Sequence, residues 1–192
     1  MQNDIVLGYY LQGQDNDSFL NESLEQKGIC LCLDYIKHRE KYISKSFEIK
    51  YVKYDFSYTY DGALIISRRF KDFCIEMGLE GLKFYHIESQ PDFFLLKVGY
   101  IVEFDCERRK TRFLEFDASC EEYNEVVGAT PVCLKENKSL ENGIYRTDIE
   151  FGRGFAKAPL ILVGVEIYQL MKQEKFSGLF GEKILDKYNW EK

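Results

Sequence analysis

Residues 64–87 place extended and helical signals in an order that leaves few folds open. Leu64-Ile65-Ile66 is short and β-branched, so it is extended. Ser67 stands where an N-cap belongs, its hydroxyl able to accept an early backbone N–H. Phe70, Phe73, Cys74 and Met77 fall at i, i+3, i+4 and i+7, the apolar face of one helix. Gly78 supplies a left-handed position after that helix, and Leu79 folds back on the last turn. Leu82 to Ile87 is extended again.

The same order returns near the C-terminus. Shifted by 97 positions without a gap, Leu64-Ile65-Ile66 falls on Ile161-Leu162-Val163 and Ser67 on Gly164. Phe70, Phe73 and Cys74 fall on Ile167, Leu170 and Met171, and Gly81 falls on Gly178. Met77 falls on Glu174, so the second helix has a shorter apolar stripe. Two copies are too few for a solenoid. The expectation is an α+β fold with a mostly antiparallel sheet and two similar strand–helix–strand units, about 64–87 and 161–184. Chance likeness between two generic strand–helix–strand pieces is the competing account.

Other strand signals surround these units. Ile5–Leu11 reads as an opening strand, residues 12–18 as a polar turn, and Ile29–Tyr35 as a strand apolar on both faces. Phe47–Tyr60 reads as strand and loop. In FFLLKVGYIVEFDC (93–106), Phe94, Leu96, Val98, Tyr100, Val102, Phe104 and Cys106 share one face at period two, with a bend allowed at Gly99. The ERRKT turn (107–111) then predicts a hairpin back to RFLEF (112–116). Residues 118–142 are polar and mixed, Ile144–Phe151 is a further strand, and 152–159 is a loop.

A chain of 192 residues suits one domain, and at that size a core buries roughly 70% of the unfolded surface without covalent staples. The six cysteines are therefore expected to be reduced, which points to the cytoplasm. No apolar run reaches the ~18 residues of a membrane helix, and the N-terminus has no basic region before an apolar one. The net charge of −6 argues against a nucleic-acid partner. Two acidic clusters stand out: Asp15, Asp17, Glu22 and Glu25, and Asp117, Glu121, Glu122 and Glu125. Each is either solvated surface or an attractant for a basic partner. Arg68 and Arg69 occupy a first helical turn, where the dipole disfavours cations, a small hint of outward use.

Signals for chemistry are weak. Cys30 and Cys32 share a strand face, but the chain has only His38 and His86, and a zinc site wants a second pair. No nucleophile elbow or phosphate-binding P-loop is present. Cys74 lies on the apolar helix face, away from any activating base. No catalytic, metal or cofactor residue is assigned.

The order of an extended opening, strand–Ser67–helix–Gly–strand, the long strand beginning Phe94-Leu95-Leu96-Lys97-Val98 and ending near Asp105, Ile144-Tyr145-Arg146, and a closing strand–helix–Ser177-Gly178-Leu179-Phe180 resembles the immunity proteins of bacterial polymorphic toxin systems, closest to the groups called immunity protein 11 and immunity protein 43. The resemblance covers about residues 60–184. Gly164 departs from the Ser that the family often has before the second helix. Residues 1–60 match only through the opening strand and are set apart as a candidate N-terminal lobe. The resemblance implies a non-enzymatic cytoplasmic protein that binds and neutralises a cognate toxin. If that toxin is a basic nuclease, either acidic cluster could mimic its substrate phosphates. A scaffold domain without a toxin partner, and an enzyme with a deep polar pocket around His38 or His86, are the rival readings.

Overall fold

The computed structural model describes residues 4–21 and 34–187. The fold mixes helix and strand, is dominated by strand, and is built on one large open sheet. Its strands are β1 (Val6–Asp15), β2 (Phe56–Tyr58), β3 (Leu64–Ser67), β4 (Leu82–His86), β5 (Phe93–Val98), β6 (Ile101–Val102), β7 (Arg112–Asp117), β8 (Glu122–Val127), β9 (Ile144–Arg153), β10 (Ala158–Val163) and β11 (Leu179–Leu185). Its α-helices are α1 (Asp34–Lys37), α2 (Arg68–Glu76), α3 (Cys106–Arg109) and α4 (Val165–Glu174). Pairing runs β4-β5-β3-β2-β1-β10-β9-β8-β7, with β11 on β1 and β6 on β9. The pairs are antiparallel except β1–β2 and β6–β9.

Both expected strand–helix–strand segments form, and each is split by an inserted antiparallel strand. β5 lies between β3 and β4. β1 lies between β10 and β11, with Tyr9, Tyr10 and Leu11 paired to both. α2 begins at Ser67, whose Oγ accepts the Phe70 N–H at 3.2 Å. It ends in a Schellman closure at Gly78 (φ +63°), where Leu79 N–H reaches the Cys74 carbonyl and Gly78 N–H the Ile75 carbonyl. Gly164 opens α4 with no side-chain cap. A β-carbon there would collide with the Glu141 carbonyl oxygen, so a serine would need the 141 segment to shift.

The helix faces differ from the simple alignment. Phe70, Phe73 and Cys74 are buried on α2, but Met77 ends the helix and is 42% exposed. On α4, Ile167, Tyr168 and Met171 are buried while Leu170 is exposed. The stripe has rotated because Tyr168 stacks on Tyr9 at 3.9 Å.

Strand alternation assigns side chains to separate cores. Leu64, Ile66, Phe94, Leu96, Ile161 and Val163 pack with α2 and α4. Ile65 and Leu95, pointing the other way, pack with Leu20, Phe47 and Ile49. Leu160 and Leu162 join Leu7, Phe104, Leu134 and Ile184. Strands buried on both faces read as continuous apolar runs, as LILV and LII do.

Five expectations are corrected. Residues 12–15 of the expected turn belong to β1, where Gln12 and Gly13 pair with β11 and Gln14 and Asp15 with β2. The 93–106 run is two strands, because at Gly99 the chain leaves β3 and β4 and joins β9. The Gly99 N–H bonds the Gly81 carbonyl at 2.8 Å, and a β-carbon would collide with that oxygen. RFLEF pairs forward with β8 and not back on the preceding strand; β8 carries too little apolar character to announce itself within 118–142. Tyr35 lies in α1 and not at a strand end, while residues 29–33 of that segment lie outside the described residues. Within 152–159 a 3-10 turn (Gly154–Ala156) precedes β10, which already begins at Ala158.

Candidate functional site

The second acidic cluster falls on one hairpin, with Glu122 turned to Lys157 and the cleft. Asp117, Glu121, Glu122 and Glu125 all lie on the β7–β8 hairpin, whose outer strand β7 is an edge, exposed at all six residues. Asp117 is held by the turn: the Ser119 hydroxyl and backbone N–H donate to it at 2.6 and 2.8 Å, keeping its carboxyl below the ordinary range. Glu115 pairs with Arg153 at 3.1 Å. Tyr123 touches Phe113 and Phe116 with ring centroids 5.4 and 5.1 Å away. Phe116 is 57% exposed, and Phe113, Leu114 and Tyr123 are also exposed. The hairpin is anchored from below by Lys157, which is 4% exposed and donates to the Tyr123 carbonyl at 2.6 Å, with Glu122 at 3.6 Å.

The other predicted residues are not brought to this surface. Asp15 and Asp17 sit in the turn closing β1, where the Asp17 N–H donates to Asp15 Oδ1 at 2.9 Å and the Tyr60 hydroxyl to Asp17 at 2.7 Å. Glu22 and Glu25 lie outside the described residues, as do Cys30 and Cys32. Arg68 pairs with Asp92 at 2.9 Å and bonds the Pro91 carbonyl at 2.7 Å. Arg69 pairs with Asp55 at 3.2 Å and bonds the Glu174 carbonyl at the end of α4. Both arginines make intramolecular contacts that account for cations in a first helical turn, and both side chains stay about half exposed, 50% and 48%.

A cleft of about 590 Å³ lies between β2, β3 and β5 on one side and β7–β10 on the other, with residues 36–40 at its edge. Its volume falls within the usual range for small-molecule sites. A buried polar knot supports it. Both Asp61 carboxylate oxygens accept the Leu20 N–H, at 3.0 and 3.1 Å, and Oδ2 accepts the Tyr35 hydroxyl. Arg39, 7% exposed, donates to the carbonyls of Asp61, Ile36, Phe155 and Lys157 at 2.6–3.1 Å. It thereby joins the β2–β3 turn to the start of β10. Burial drives the Tyr35 phenol well above its ordinary value, and Asp61 adds to this. Burial lowers Arg39.

Three polar groups lining the cleft have no hydrogen-bond or ion-pair partner among the described residues: the Lys37 ammonium, the Tyr58 hydroxyl and the Glu150 carboxyl. Of these, the Tyr58 and Glu150 groups are acidic. Burial raises both, and for Glu150 it outweighs the opposing pull of Arg39, Arg146, Lys157 and Lys37. His38 also lines the cleft, with Glu40 at 3.5 Å from Nδ1. His86 is elsewhere, exposed on β4 against the edge of Phe94. The Cys74 thiol is buried and pushed up to about 12, so it is no nucleophile at neutral pH. Among the described residues no group of three or more His, Cys, Asp or Glu could hold a metal ion, and no helix is long and apolar enough to cross a membrane.

Of the residues lining the cleft, sequence reasoning flagged only His38 and Glu122. Arg39, Tyr58, Glu150 and Lys157 come from the 39–42 turn, β2, β9 and the residue before β10, and no spacing rule connects them. Comparison with protein-family models and with curated proteins gave no match, so the resemblance to immunity proteins rests on the residue pattern alone.

Proposed function

We propose that the protein is a non-enzymatic binding protein that neutralises a basic cytoplasmic toxin by docking it on the β7–β8 hairpin. The observation that carries this reading is the exposed ring cluster of Phe113, Phe116 and Tyr123 beside Asp117, Glu121, Glu122 and Glu125. Exposed aromatic anchors supply contact energy at protein interfaces, and surrounding carboxylates steer a basic partner and fix its register. The resemblance of residues 60–184 to immunity proteins supplies the toxin as partner. In this reading the two split strand–helix–strand units are copies of one element, and the hairpin between them is the part free to diversify.

The test is growth of a host expressing the reading frame beside this gene, alone and with this protein. Rescue by the wild type, lost on Phe116→Ser with Tyr123→Ser or on Glu121→Lys with Glu122→Lys and Glu125→Lys, supports the hairpin. Rescue untouched by both sets moves the contact elsewhere, and a harmless neighbour favours the scaffold reading.

An enzyme has one observation in its favour, a cleft that holds His38, Glu40 and Glu150. The two readings separate on His38→Ala and Glu150→Gln. Binding through the hairpin predicts full rescue by both variants, whereas catalysis in the cleft predicts its loss.

A further inference from the structure

We propose that the cleft between β5 and β9 binds a small organic anion with a flat apolar body, its charged group held between Lys37 and Arg146. The proposal does not rest on the docking reading, although Phe113, Glu122, Tyr123 and Val126 of the hairpin also line the cleft. It starts from which charged groups of the cleft are already satisfied. Lys97 is neutralised by Glu40 at 2.9 Å and also bonds the Lys37 carbonyl. Lys157 is held by the Tyr123 carbonyl and Glu122. Arg39 spends its donors on four backbone carbonyls. On the acidic side Asp148 accepts the Phe104 N–H at 2.8 Å.

What is left over is cationic. The Lys37 ammonium has no hydrogen-bond or ion-pair partner among the described residues. Arg146 makes one side-chain bond, from Nη1 to the Thr147 carbonyl at 3.2 Å, and keeps its remaining donors. Guanidinium and ammonium groups with spare N–H donors recognise carboxylate, sulfonate or phosphate oxygens. A cationic ligand is disfavoured, because Arg39, Arg146, Lys157 and Lys37 all act on Glu150, the one unpartnered carboxyl facing the cleft. Burial raises the Glu150 carboxyl against the pull of these cations, and the Tyr58 hydroxyl can donate to an anionic oxygen. The apolar remainder of the wall is Leu64, Val126 and Ile161 with the rings of Phe113 and Tyr123, which suits a flat body.

The probe is 8-anilinonaphthalene-1-sulfonate, titrated into the full chain by fluorescence and calorimetry, with uncharged N-phenyl-1-naphthylamine as control. The expected result is one site for the sulfonate, at least tenfold weaker binding of the neutral amine, and at least tenfold weaker sulfonate binding in Arg146→Met and in Lys37→Met. Phe180→Ser, exposed on β11 and outside the cleft, should bind as wild type. Lys37 is exposed, so Lys37→Met decides if Arg146→Met does not fold. Equal affinity for the neutral amine, wild-type affinity in the cation variants, no binding, or loss of binding in Phe180→Ser each overturns the proposal.

Discussion

Ser177 donates twice to the same carboxylate oxygen of Asp55, from its backbone N–H at 2.9 Å and its hydroxyl at 2.8 Å. The other oxygen of Asp55 accepts the Ser67 hydroxyl at 2.7 Å. Ser67 caps α2, and Ser177 leads from α4 into β11. One carboxylate, on the segment entering β2, therefore ties both strand–helix–strand segments together.

Burial pushes the Asp55 carboxyl up, but the donors from Ser67 and Ser177 and the charge of Arg69 outweigh it and hold it below the ordinary range. A depressed carboxylate stabilises the fold above its unfolded value, about 3.9, and that contribution is lost as pH falls through the lower folded value. Asp55→Ala should cost on the order of 3 kcal/mol at neutral pH, since several donors lose a charged acceptor at once. Urea unfolding of wild type and variant should converge in acid; a gap independent of pH would refute the charge argument.

Glu150 works in the opposite direction. Its carboxyl is raised by burial, so the folded state holds the proton more tightly than the unfolded chain. Stability should fall as pH rises from about 4.3 through the higher folded value. Glu150→Gln should remove that fall and raise the melting temperature at pH 7. A variant that melts lower at pH 7 would show that the ionised carboxyl is stabilising.

The N-cap of α4 tests whether family pattern or local space governs. Ser is the better cap by propensity, but a β-carbon at 164 would collide with the backbone oxygen of Glu141. Gly164→Ser should therefore destabilise by about 2–3 kcal/mol, read by denaturant midpoint. A neutral or stabilising result would mean that residues 140–141 give way.

Phe70 and Met77 share an apolar stripe in the sequence and differ in the fold. Phe70 is fully buried against Phe56 and Phe176, and its replacement by Ala should cost about 3–5 kcal/mol. Met77→Ala should stay within about 0.5 kcal/mol, as for other exposed positions. Similar costs at both sites would mean that Met77 is covered in solution.

The buried guanidinium joins parts of the chain far apart in sequence. Arg39→Met leaves the carbonyls of Asp61, Ile36, Phe155 and Lys157 without their donor, an expected loss of at least 3 kcal/mol. Arg39→Lys should recover only part of it, because a single ammonium cannot reach four divergent acceptors. Full recovery would show that charge alone suffices.

Local order was legible in the chain because it depends on neighbours a few residues apart. Ser67, the spacing of Phe70, Phe73 and Cys74, and Gly78 defined α2 at both ends, and the period-two run from Phe94 marked the inward face of β5. What the tertiary structure decided was every relation across long separations. It chose β9 as the partner of β6, β8 as the partner of β7, and β1 and β5 as the inserted central strands. It moved the buried stripe of α4 onto Tyr168, because Tyr9 offered a ring to stack on. It gathered Asp117, Glu121, Glu122 and Glu125 with three aromatic rings, while Asp15 and Asp17 were absorbed by a turn. It built the cleft from Arg39, Tyr58, Glu150 and Lys157, whose meeting no sequence period encodes. Periodicity records which face of an element is apolar; only packing settles what that face meets.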